Sequence, residues 1–126
     1  MTARLPAAEV RHAASAKPAR RGEFVTVVLS GDFGKPRPAL IIQADHFAAV
    51  PTVTLLLVTS TLSDTPLLRV NIHPDGASGL RKPSQVMIDK TMTVKRERVG
   101  SPIGRIDADT LVEIERRLAV FLGIAK

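Results

Sequence analysis

One arginine in the sequence combines a side chain suited to phosphate esters with a stiff backbone setting. Arg37 lies in the run Lys35-Pro36-Arg37-Pro38, just before the apolar segment of residues 39–42. Proline fixes its own backbone φ angle, so two prolines stiffen the corner from which Arg37 projects. A guanidinium is planar, permanently charged and rich in donors, which suits it to holding a phosphate and its developing charge. An ordinary solvated arginine at the start of a strand is the alternative interpretation.

A cluster of hydroxyl groups, Thr59-Ser60-Thr61, closes the most apolar segment of the chain, which begins at Val53. Successive side chains of a strand point to opposite faces, so we expect Thr59 and Thr61 on one face and Ser60 on the other. A hydroxyl at this position can orient a phosphate or donate to one of its non-bridging oxygens. Hydroxyls at strand ends also bond to nearby backbone, and that interpretation stays open.

Other catalytic groups are sparse. The chain has no cysteine, and its three histidines (His12, His46 and His73) lie far apart, with no metal-binding spacing. We therefore expect neither a metal site nor another cofactor. His46 and His73 are the natural general acid–base candidates by their usual pKa, but each is isolated. The run of residues 95–98 is typical of a solvated face, although it could also lengthen a groove for RNA.

The charge of the chain favours an anionic partner. Eighteen Lys and Arg against twelve Asp and Glu give +6 and a pI near 10.5, and such a surface attracts phosphate polymers. Acidic protein segments and anionic lipid would also suit it. The four aromatic residues are all phenylalanine, and we expect at least two in the core, so nucleic-acid binding must rely on charge and polar contacts. No apolar run is long enough to cross a bilayer.

The chain divides into a short extension and one domain. Residues 1–20 are rich in alanine and arginine with a single acidic residue, and we expect a flexible N-terminal extension, with a transit peptide as the alternative. Residues 21–126 form the domain. Runs of β-branched and apolar residues predict strands at 24–29, 37–43, 53–61, 67–73, 84–88, 93–94 and 102–106. The prolines before the second run confine its start to an edge or a loop exit. Loops are predicted at 30–36 and 74–83, and a helical turn capped by Asp45 extends through Ala49.

The last segment carries the clearest helix signals. Asp107 or Asp109 can cap its N-terminus, Glu113 precedes Arg117 by four residues, and Gly123 stands where a helix commonly ends. Spacings of three and four predict one apolar face, formed by Leu111, Ile114, Leu118, Phe121 and Leu122. With five to seven short strands before it, this helix predicts a mainly β fold, an antiparallel barrel-like sheet covered by a C-terminal helix.

The chain resembles the MazF/PemK toxins of toxin–antitoxin systems over residues 21–125. The resemblance rests on several motifs in the same order. These are Arg21-Gly22-Glu23, Arg37-Pro38-Ala39-Leu40-Ile41-Ile42, Leu57-Val58-Thr59-Ser60, Gly79-Leu80 with Pro83-Ser84-Gln85-Val86, and Asp89-Lys90 followed by Thr93-Val94 and Arg98-Val99-Gly100. Each motif is weak by itself, and the ordered set is fairly specific.

The resemblance implies a fold, an activity and a site. The fold is a small SH3-like antiparallel barrel of the MazF/CcdB type with a C-terminal helix, forming a homodimer. The activity is metal-independent, sequence-selective cleavage of single-stranded RNA, usually mRNA, in the cytoplasm. By the same resemblance Arg37 takes the position of the catalytic arginine and Thr59 that of the catalytic hydroxyl. Substrate contacts are expected from Lys35, Ser60, Thr61, Ser84 and Lys90.

The implied mechanism is attack by the ribose 2′-hydroxyl on the adjacent phosphorus, which leaves a 2′,3′-cyclic phosphate and a 5′-hydroxyl. Arg37 stabilises the phosphate charge and helps to protonate the leaving oxygen, while Thr59 orients the phosphate or the nucleophile. The implied regulator is a cognate antitoxin whose acidic, apolar tail covers the RNA groove and with which the toxin binds DNA. Two other functions stay open: a non-enzymatic gyrase-binding toxin of the CcdB kind, and a catalytically inactive RNA-binding or regulatory domain.

Overall fold

The protein is seen in a computed structural model that describes residues 19–31 and 33–126. Within these residues six strands precede one long helix: β1 (Glu23–Val28), β2 (Pro36–Ile41), β3 (Thr52–Thr59), β4 (Arg69–Ile72), β5 (Ser84–Lys95), β6 (Val99–Arg105) and α1 (Ala108–Phe121). Short 3-10 turns lie at Asp45–Phe47 and Arg96–Arg98. The predicted mainly β fold with a C-terminal helix is confirmed. The predicted extension falls outside the described residues up to residue 18.

All strands belong to one antiparallel sheet in the order β4-β5-β3-β2-β1-β6. β2 lies inside the sheet, but at its start Pro36 and Pro38 pair only with β1, and pairing with β3 begins at Ala39. The prolines therefore occupy a loop exit, as the sequence predicts. The loop that follows β4 reaches the opposite edge of the sheet. There the Arg105 N–H of β6 donates to the carbonyl of Ala77 in this loop at 2.7 Å. This contact brings the two edges of the sheet together, as a small barrel requires.

Side chains alternate across the sheet to form two apolar clusters, one on each face. The helix-side cluster joins the sheet to α1 and contains Phe24, Leu40, Leu56, Val58, Val70, Ile72, Leu80, Val86, Ile88, Ile106 and Ile114. The inner cluster lies on the other face and contains Val25, Val27, Ala39, Ile41, Val53 and Leu55. Continuous apolar runs in β2 and β3 follow from this arrangement, because both faces of those strands are covered.

Two motifs of the resemblance prove to hold the fold together. The Arg21 guanidinium donates to the Ile42 carbonyl and to the Glu115 carboxylate, which ties the start of β1 to the end of β2 and to α1. Gly79 has a φ of +72°, and a Cβ there would lie 1.7 Å from the Ile103 carbonyl oxygen of β6. Leu80, next to it, is buried in the helix-side cluster. These contacts join segments that are distant along the chain.

The structure corrects two predictions about the sheet and its turn. Residues 84–88 and 93–94 belong to one strand, β5, because a bulge opposite Leu57 lets a single long strand bend around the barrel. Asp45 does not cap the short turn that follows β2: the cap position is Ala44, and it makes no side-chain cap bond. The Asp45 carboxylate accepts instead from the backbone N–H of Arg21 at 2.8 Å.

Two further corrections concern apolar residues. Of the four phenylalanines only Phe24 is buried, whereas Phe33, Phe47 and Phe121 are exposed. The helix is otherwise as predicted: Asp107 is the N-cap and accepts from the Thr110 N–H at 2.9 Å, and Gly123 ends it with a φ of +76°. Its apolar face is shorter than predicted. Leu111, Ile114 and Leu118 contact the sheet, but Phe121 and Leu122 extend past the sheet edge and are about half exposed.

Candidate active site

A row of residues crosses the inner face of the sheet and contains both predicted catalytic side chains. Val27 of β1 pairs with Arg37 of β2, Thr59 of β3 pairs with Gln85 of β5, and Gln85 pairs with Asn71 of β4. The link between β2 and β3 follows from register. Ala39 pairs with Leu57, and the same register continued by two residues brings Arg37 level with Thr59. We call Arg37, Thr59, Gln85 and Asn71 the polar row.

The face on which the polar row lies follows from the alternation of side chains. Arg37 shares its face with Ala39 and Ile41 of β2, which belong to the inner cluster. Thr59 shares its face with Leu55 and Leu57 of β3, which pack in the same cluster. Residues directly opposite on neighbouring strands have Cβ atoms about 5 Å apart. If the register of β2 and β3 continues past Ala39 and Leu57, the Cβ atoms of Arg37 and Thr59 lie at neighbouring positions on this face.

The Thr59 hydroxyl is oriented by its own backbone. Its Oγ1 accepts a hydrogen bond from the Thr61 N–H at 3.0 Å, a local bond of the kind that hydroxyls at strand ends make. This bond uses an oxygen lone pair, so the hydroxyl proton remains able to donate. Thr59 is half-buried, whereas Ser60 and Thr61 are exposed beyond the end of β3. The backbone interpretation and the functional one are therefore compatible.

The other predicted substrate contacts lie at different distances from the polar row. Lys35 is exposed in the loop that leads into β2, next to Arg37. Lys90 lies in the bulge of β5 opposite Leu57, is exposed, and has its Nζ 3.6 Å from the Asp89 carboxylate. The structure separates Ser84 from this group. Its side chain is 5% exposed, faces the helix side with Val86, and its Oγ donates to the Lys82 carbonyl at 2.8 Å.

A buried glutamine was missed by sequence reasoning as a site residue. Gln85 is only 6% exposed, and its side-chain amide connects β4, β5 and the loop after β3 through bonds to Ser63, Arg69 and Asn71. In sequence it alternates with Val86 and Ile88, which places it on the polar side of a half-buried strand. That pattern predicts that the Gln85 side chain is exposed to solvent. It is buried instead because residues 60–68, which are distant along the chain, cover it.

A metal ion needs a set of ligand side chains that converge on one point. Within residues 19–31 and 33–126, no three His, Asp or Glu side chains converge in a way that could hold a metal ion. His46 and His73 are both exposed, and the His46 ring packs beside Phe47 with centroids 4.1 Å apart. In the same part of the chain no helix is long and apolar enough to span a membrane.

Comparison with known proteins agrees with this architecture. A family model described as "PemK-like, MazF-like toxin of type II toxin-antitoxin system" matches residues 20–122. The chain belongs to this family. The chain is also similar to a protein of Mycolicibacterium smegmatis named "Probable endoribonuclease MazF". It is 46% identical over 107 residues, which cover 84% of this chain and 98% of that protein.

Solved structures of MazF-like toxins share the fold. An endoribonuclease from a mycobacterial species, solved in complex with its cognate antitoxin, superposes with a TM-score of 0.72 at 22% identity and covers 86% of this chain and 98% of its own. The Mycobacterium tuberculosis toxin MazF-mt6 gives 0.69 at 22%, covering 80% and 96%. A MazE–MazF structure from Deinococcus radiodurans gives 0.72 at 22%, covering 84% and 97%. The predicted MazF-type fold is confirmed.

Proposed function

We propose that this protein is a metal-independent endoribonuclease toxin that cuts single-stranded RNA with Arg37 and Thr59. The observation that carries the proposal is the pairing of Ala39 with Leu57, because the same register continued by two residues would put Arg37 level with Thr59. Membership of the MazF-like family and the 46% identical relative named as an endoribonuclease support the activity. The net charge of +6 suits a polyanionic substrate.

The reaction is an internal transfer at one phosphodiester. The 2′-hydroxyl oxygen attacks the adjacent phosphorus and loses its proton to water, while the bond between phosphorus and the 5′-oxygen breaks. The leaving 5′-oxygen takes up a proton from water. The products are a 2′,3′-cyclic phosphate and a 5′-hydroxyl, and no electron or metal enters the balance.

Arg37 stabilises the charge that builds up on the phosphate oxygens as the pentacoordinate state forms. A guanidinium keeps its protons in proteins, so we assign Arg37 to hydrogen bonding and charge stabilisation, including donation to the leaving oxygen. Pro36 and Pro38 restrict the backbone on either side of it. A donor held in place before the reaction stabilises the transition state without the cost of reorganising solvent.

Thr59 positions the phosphate. Because its Oγ1 already accepts from the Thr61 N–H, the hydroxyl is directed to donate outward, toward a non-bridging phosphate oxygen. The exposed Lys35, Ser60, Thr61 and Lys90 contribute charge and hydrogen bonds along the flanking RNA. Ser84 has no part in this contact set, since its hydroxyl is buried on the other face of the sheet.

The proposal includes a cytoplasmic partner. Two structural neighbours were solved with an antitoxin or as MazE–MazF assemblies, and the basic surface of this chain suits an antitoxin tail with acidic and apolar residues. Such a tail competes with RNA for the same cationic groove. The active form is a homodimer that acts on mRNA in the cytoplasm.

The test is an end-mapping experiment. Purified protein is incubated with a long single-stranded RNA in excess EDTA, and the termini of the products are sequenced and their chemistry determined. We expect discrete cuts with 5′-hydroxyl ends that are lost in Arg37→Ala. Arg116→Ala is the matched control, because it removes the same charge from an exposed helix position whose ion contact to Glu113 spans 3.9 Å.

Three outcomes contradict the proposal. Cutting that requires a divalent metal contradicts the mechanism, and cuts that persist unchanged in Arg37→Ala contradict the site. Intact RNA with inhibition of DNA gyrase indicates a CcdB-like poison instead, and intact RNA that is merely retained indicates an inactive binding domain.

A further inference from the structure

A polar cavity of about 180 Å³ opens at the β4 end of the polar row. Its walls come from residues 63–66, from β4 and β5, and from Arg117 of α1. A closed cavity of about 150 Å³ in another protein admits benzene, so this open one can take a flat ring inserted edge-first from solvent. None of the residues assigned to the reaction above lines it. The cavity is therefore a second feature beside the proposed catalytic pair.

Gln85 fixes the side chains at the bottom of this cavity. Its Oε1 accepts from the Ser63 N–H and from Arg69 Nη1, both at 3.0 Å. Its Nε2 donates to the Ser63 carbonyl at 3.1 Å and to Asn71 Oδ1 at 2.9 Å. A buried amide with all of these bonds formed holds its neighbours in one arrangement. Binding there costs little ordering, because the groups are already in place.

This arrangement leaves hydrogen-bond donors on one side of the cavity. Asn71 Oδ1 is held by Gln85, so its Nδ2 group is turned away and bonds to no described residue. Arg69 uses Nη1 for Gln85 and for the Thr61 carbonyl at 3.2 Å. Its Nε and Nη2 donors make no bond within the described part of the chain. The β4 side thus offers two sets of unused donors to a ligand, the Asn71 amide and the Nε–Nη2 edge of Arg69.

An acceptor is available in the loop after β3. Asp64 lines the cavity, and its carboxylate makes no hydrogen bond or ion pair with any residue that the structure describes. An ionised carboxylate accepts only, so it favours a ligand edge that carries N–H groups. The other polar side chains of the lining have partners: the Ser63 and Thr65 hydroxyls bond to each other, and Arg117 bonds to Glu113 and to two backbone carbonyls. Arg69, Asn71 and Asp64 are therefore the groups that we assign to ligand recognition.

We propose that this cavity binds a guanine base of the RNA beside the cleaved bond, an inference that rests on the proposed function. Guanine presents O6 and N7 as adjacent acceptors, and arginine pairs with them more often than with any other base edge. Its amino group supplies a donor for Asp64. Adenine carries an amino group where guanine has O6, so this amino group would face the N–H donors of Arg69 and Asn71 without an acceptor between them. Cytosine and uracil lack N7 and leave part of the cavity unfilled.

The distance to the reacting phosphate suits one nucleotide. Thr59 and Asn71 are separated by β5, which means two strand spacings, or about 10 Å. Thr61 joins the two sites, because its N–H donates to Thr59 Oγ1 and its carbonyl accepts from Arg69. A base seated against Arg69 and Asn71 places its phosphate near the Arg37 and Thr59 end of the polar row. The cavity thereby selects which bond is presented for cutting.

Binding to uncleavable RNA tests the subsite without relying on activity. Four labelled 2′-O-methyl hexamers are compared: oligouridine itself, and oligouridine in which one internal base is replaced by guanine, adenine or cytosine. The full chain is titrated into each, and binding is followed by fluorescence anisotropy. We expect the guanine hexamer to bind about tenfold more tightly than the others, as a good arginine–guanine pair discriminates. Arg69→Lys keeps the charge but loses the fork, so it should abolish the preference, and Asn71→Asp should reverse it toward adenine. Arg116→Ala should keep it.

Equal binding of all four hexamers by the parent chain, or a guanine preference that survives in both Arg69→Lys and Asn71→Asp, overturns the inference. Aligned cut sites give a second measure, in which guanine should dominate one column beside the cut for the parent chain and not for Asn71→Asp. The two proposals fail separately. Guanine-selective binding without Arg37-dependent cutting contradicts the proposed nuclease activity but not the subsite. Arg37-dependent cutting with no preference for guanine beside the cut contradicts the subsite alone.

Discussion

Thr59 at the end of β3 lies directly opposite Gln85 of β5, so a proposed catalytic hydroxyl and a buried structural amide share one level of the sheet. Gln85 in turn holds the loop that follows Thr59, through both backbone groups of Ser63. The amide therefore anchors the loop that begins directly after the hydroxyl. This relationship motivates the predictions for Thr59 and Gln85.

The hydroxyl of Thr59, rather than the shape of its side chain, is expected to matter for cutting. We predict that Thr59→Ala slows RNA cleavage by more than about tenfold, because a positioned donor to the phosphate is lost. Thr59→Ser keeps the hydroxyl and should retain most of the rate. The measurement is single-turnover cleavage of a labelled RNA. Equal rates for the alanine and serine variants would contradict the assigned role.

A companion variant addresses general acid–base catalysis. His73 is exposed, and the register places it outside the polar row. We predict that His73→Ala changes the cleavage rate little in the same assay. A large loss of rate in this variant would show that the acid–base roles are assigned wrongly.

Gln85 is expected to matter for stability. Gln85→Leu leaves the Ser63 N–H and carbonyl and the Arg69 guanidinium without their buried partner, and we predict a loss of about 2–4 kcal/mol in the free energy of unfolding. Gln85→Glu keeps the acceptor for Ser63 and Arg69, but its second oxygen faces the Ser63 carbonyl and Asn71 Oδ1. Because its charge also pairs with the Arg69 guanidinium, its loss should be smaller than that of the leucine variant. Urea denaturation of the three proteins measures both values. A leucine variant as stable as the parent would mean that the amide network is not needed.

The loop before β5 offers a matched pair of glycines. At Gly79 a Cβ would strike the Ile103 carbonyl and the backbone φ is +72°, whereas at Gly76 a Cβ would meet nothing within 4 Å. We predict that Gly79→Ala costs about 2 kcal/mol or more, because the loop must move away from β6. Gly76→Ala should leave the midpoint of thermal unfolding nearly unchanged. Similar midpoints for both variants would refute the packing argument.

The cap of α1 predicts a dependence of stability on pH. The Thr110 hydroxyl, followed by the Thr110 N–H, bonds to the Asp107 carboxylate and lowers the pKa of that group below its ordinary value of 3.8. A lowered pKa means that the stabilisation is complete above the ordinary value and is lost as the pH falls through the lowered one. Asp107→Asn still caps but does not titrate.

The free energy of unfolding of the parent chain should therefore exceed that of Asp107→Asn at about pH 6, and the difference should shrink as the pH falls below about 4. Denaturation of both proteins across this range gives the difference at each pH. The pKa of Glu113 is also lowered, by its hydrogen bond to Arg117. Because Glu113 is present in both proteins, its contribution cancels from the difference in unfolding free energy. A difference that does not change with pH would contradict the assignment.

Local signals in the sequence determined most of the elements. Alternation and β-branched runs located the strands, because a strand with one covered face must bury every second side chain. The spacing of Leu111, Ile114 and Leu118 and the capping aspartate located α1. Residue chemistry pointed to Arg37 and to the hydroxyl cluster of residues 59–61, and the resemblance to MazF/PemK toxins selected Thr59 within that cluster.

The tertiary structure decided what distant segments do to one another. Gln85 has the pattern of an exposed strand residue and Ser84 that of an accessible hydroxyl, but the loop of residues 60–68 covers the first and the sheet turns the second inward. The register of β2 against β3 pairs Ala39 with Leu57, and its continuation by two residues would put Arg37 level with Thr59. Register and burial arise from contacts between residues far apart in the chain, so no local pattern encodes them.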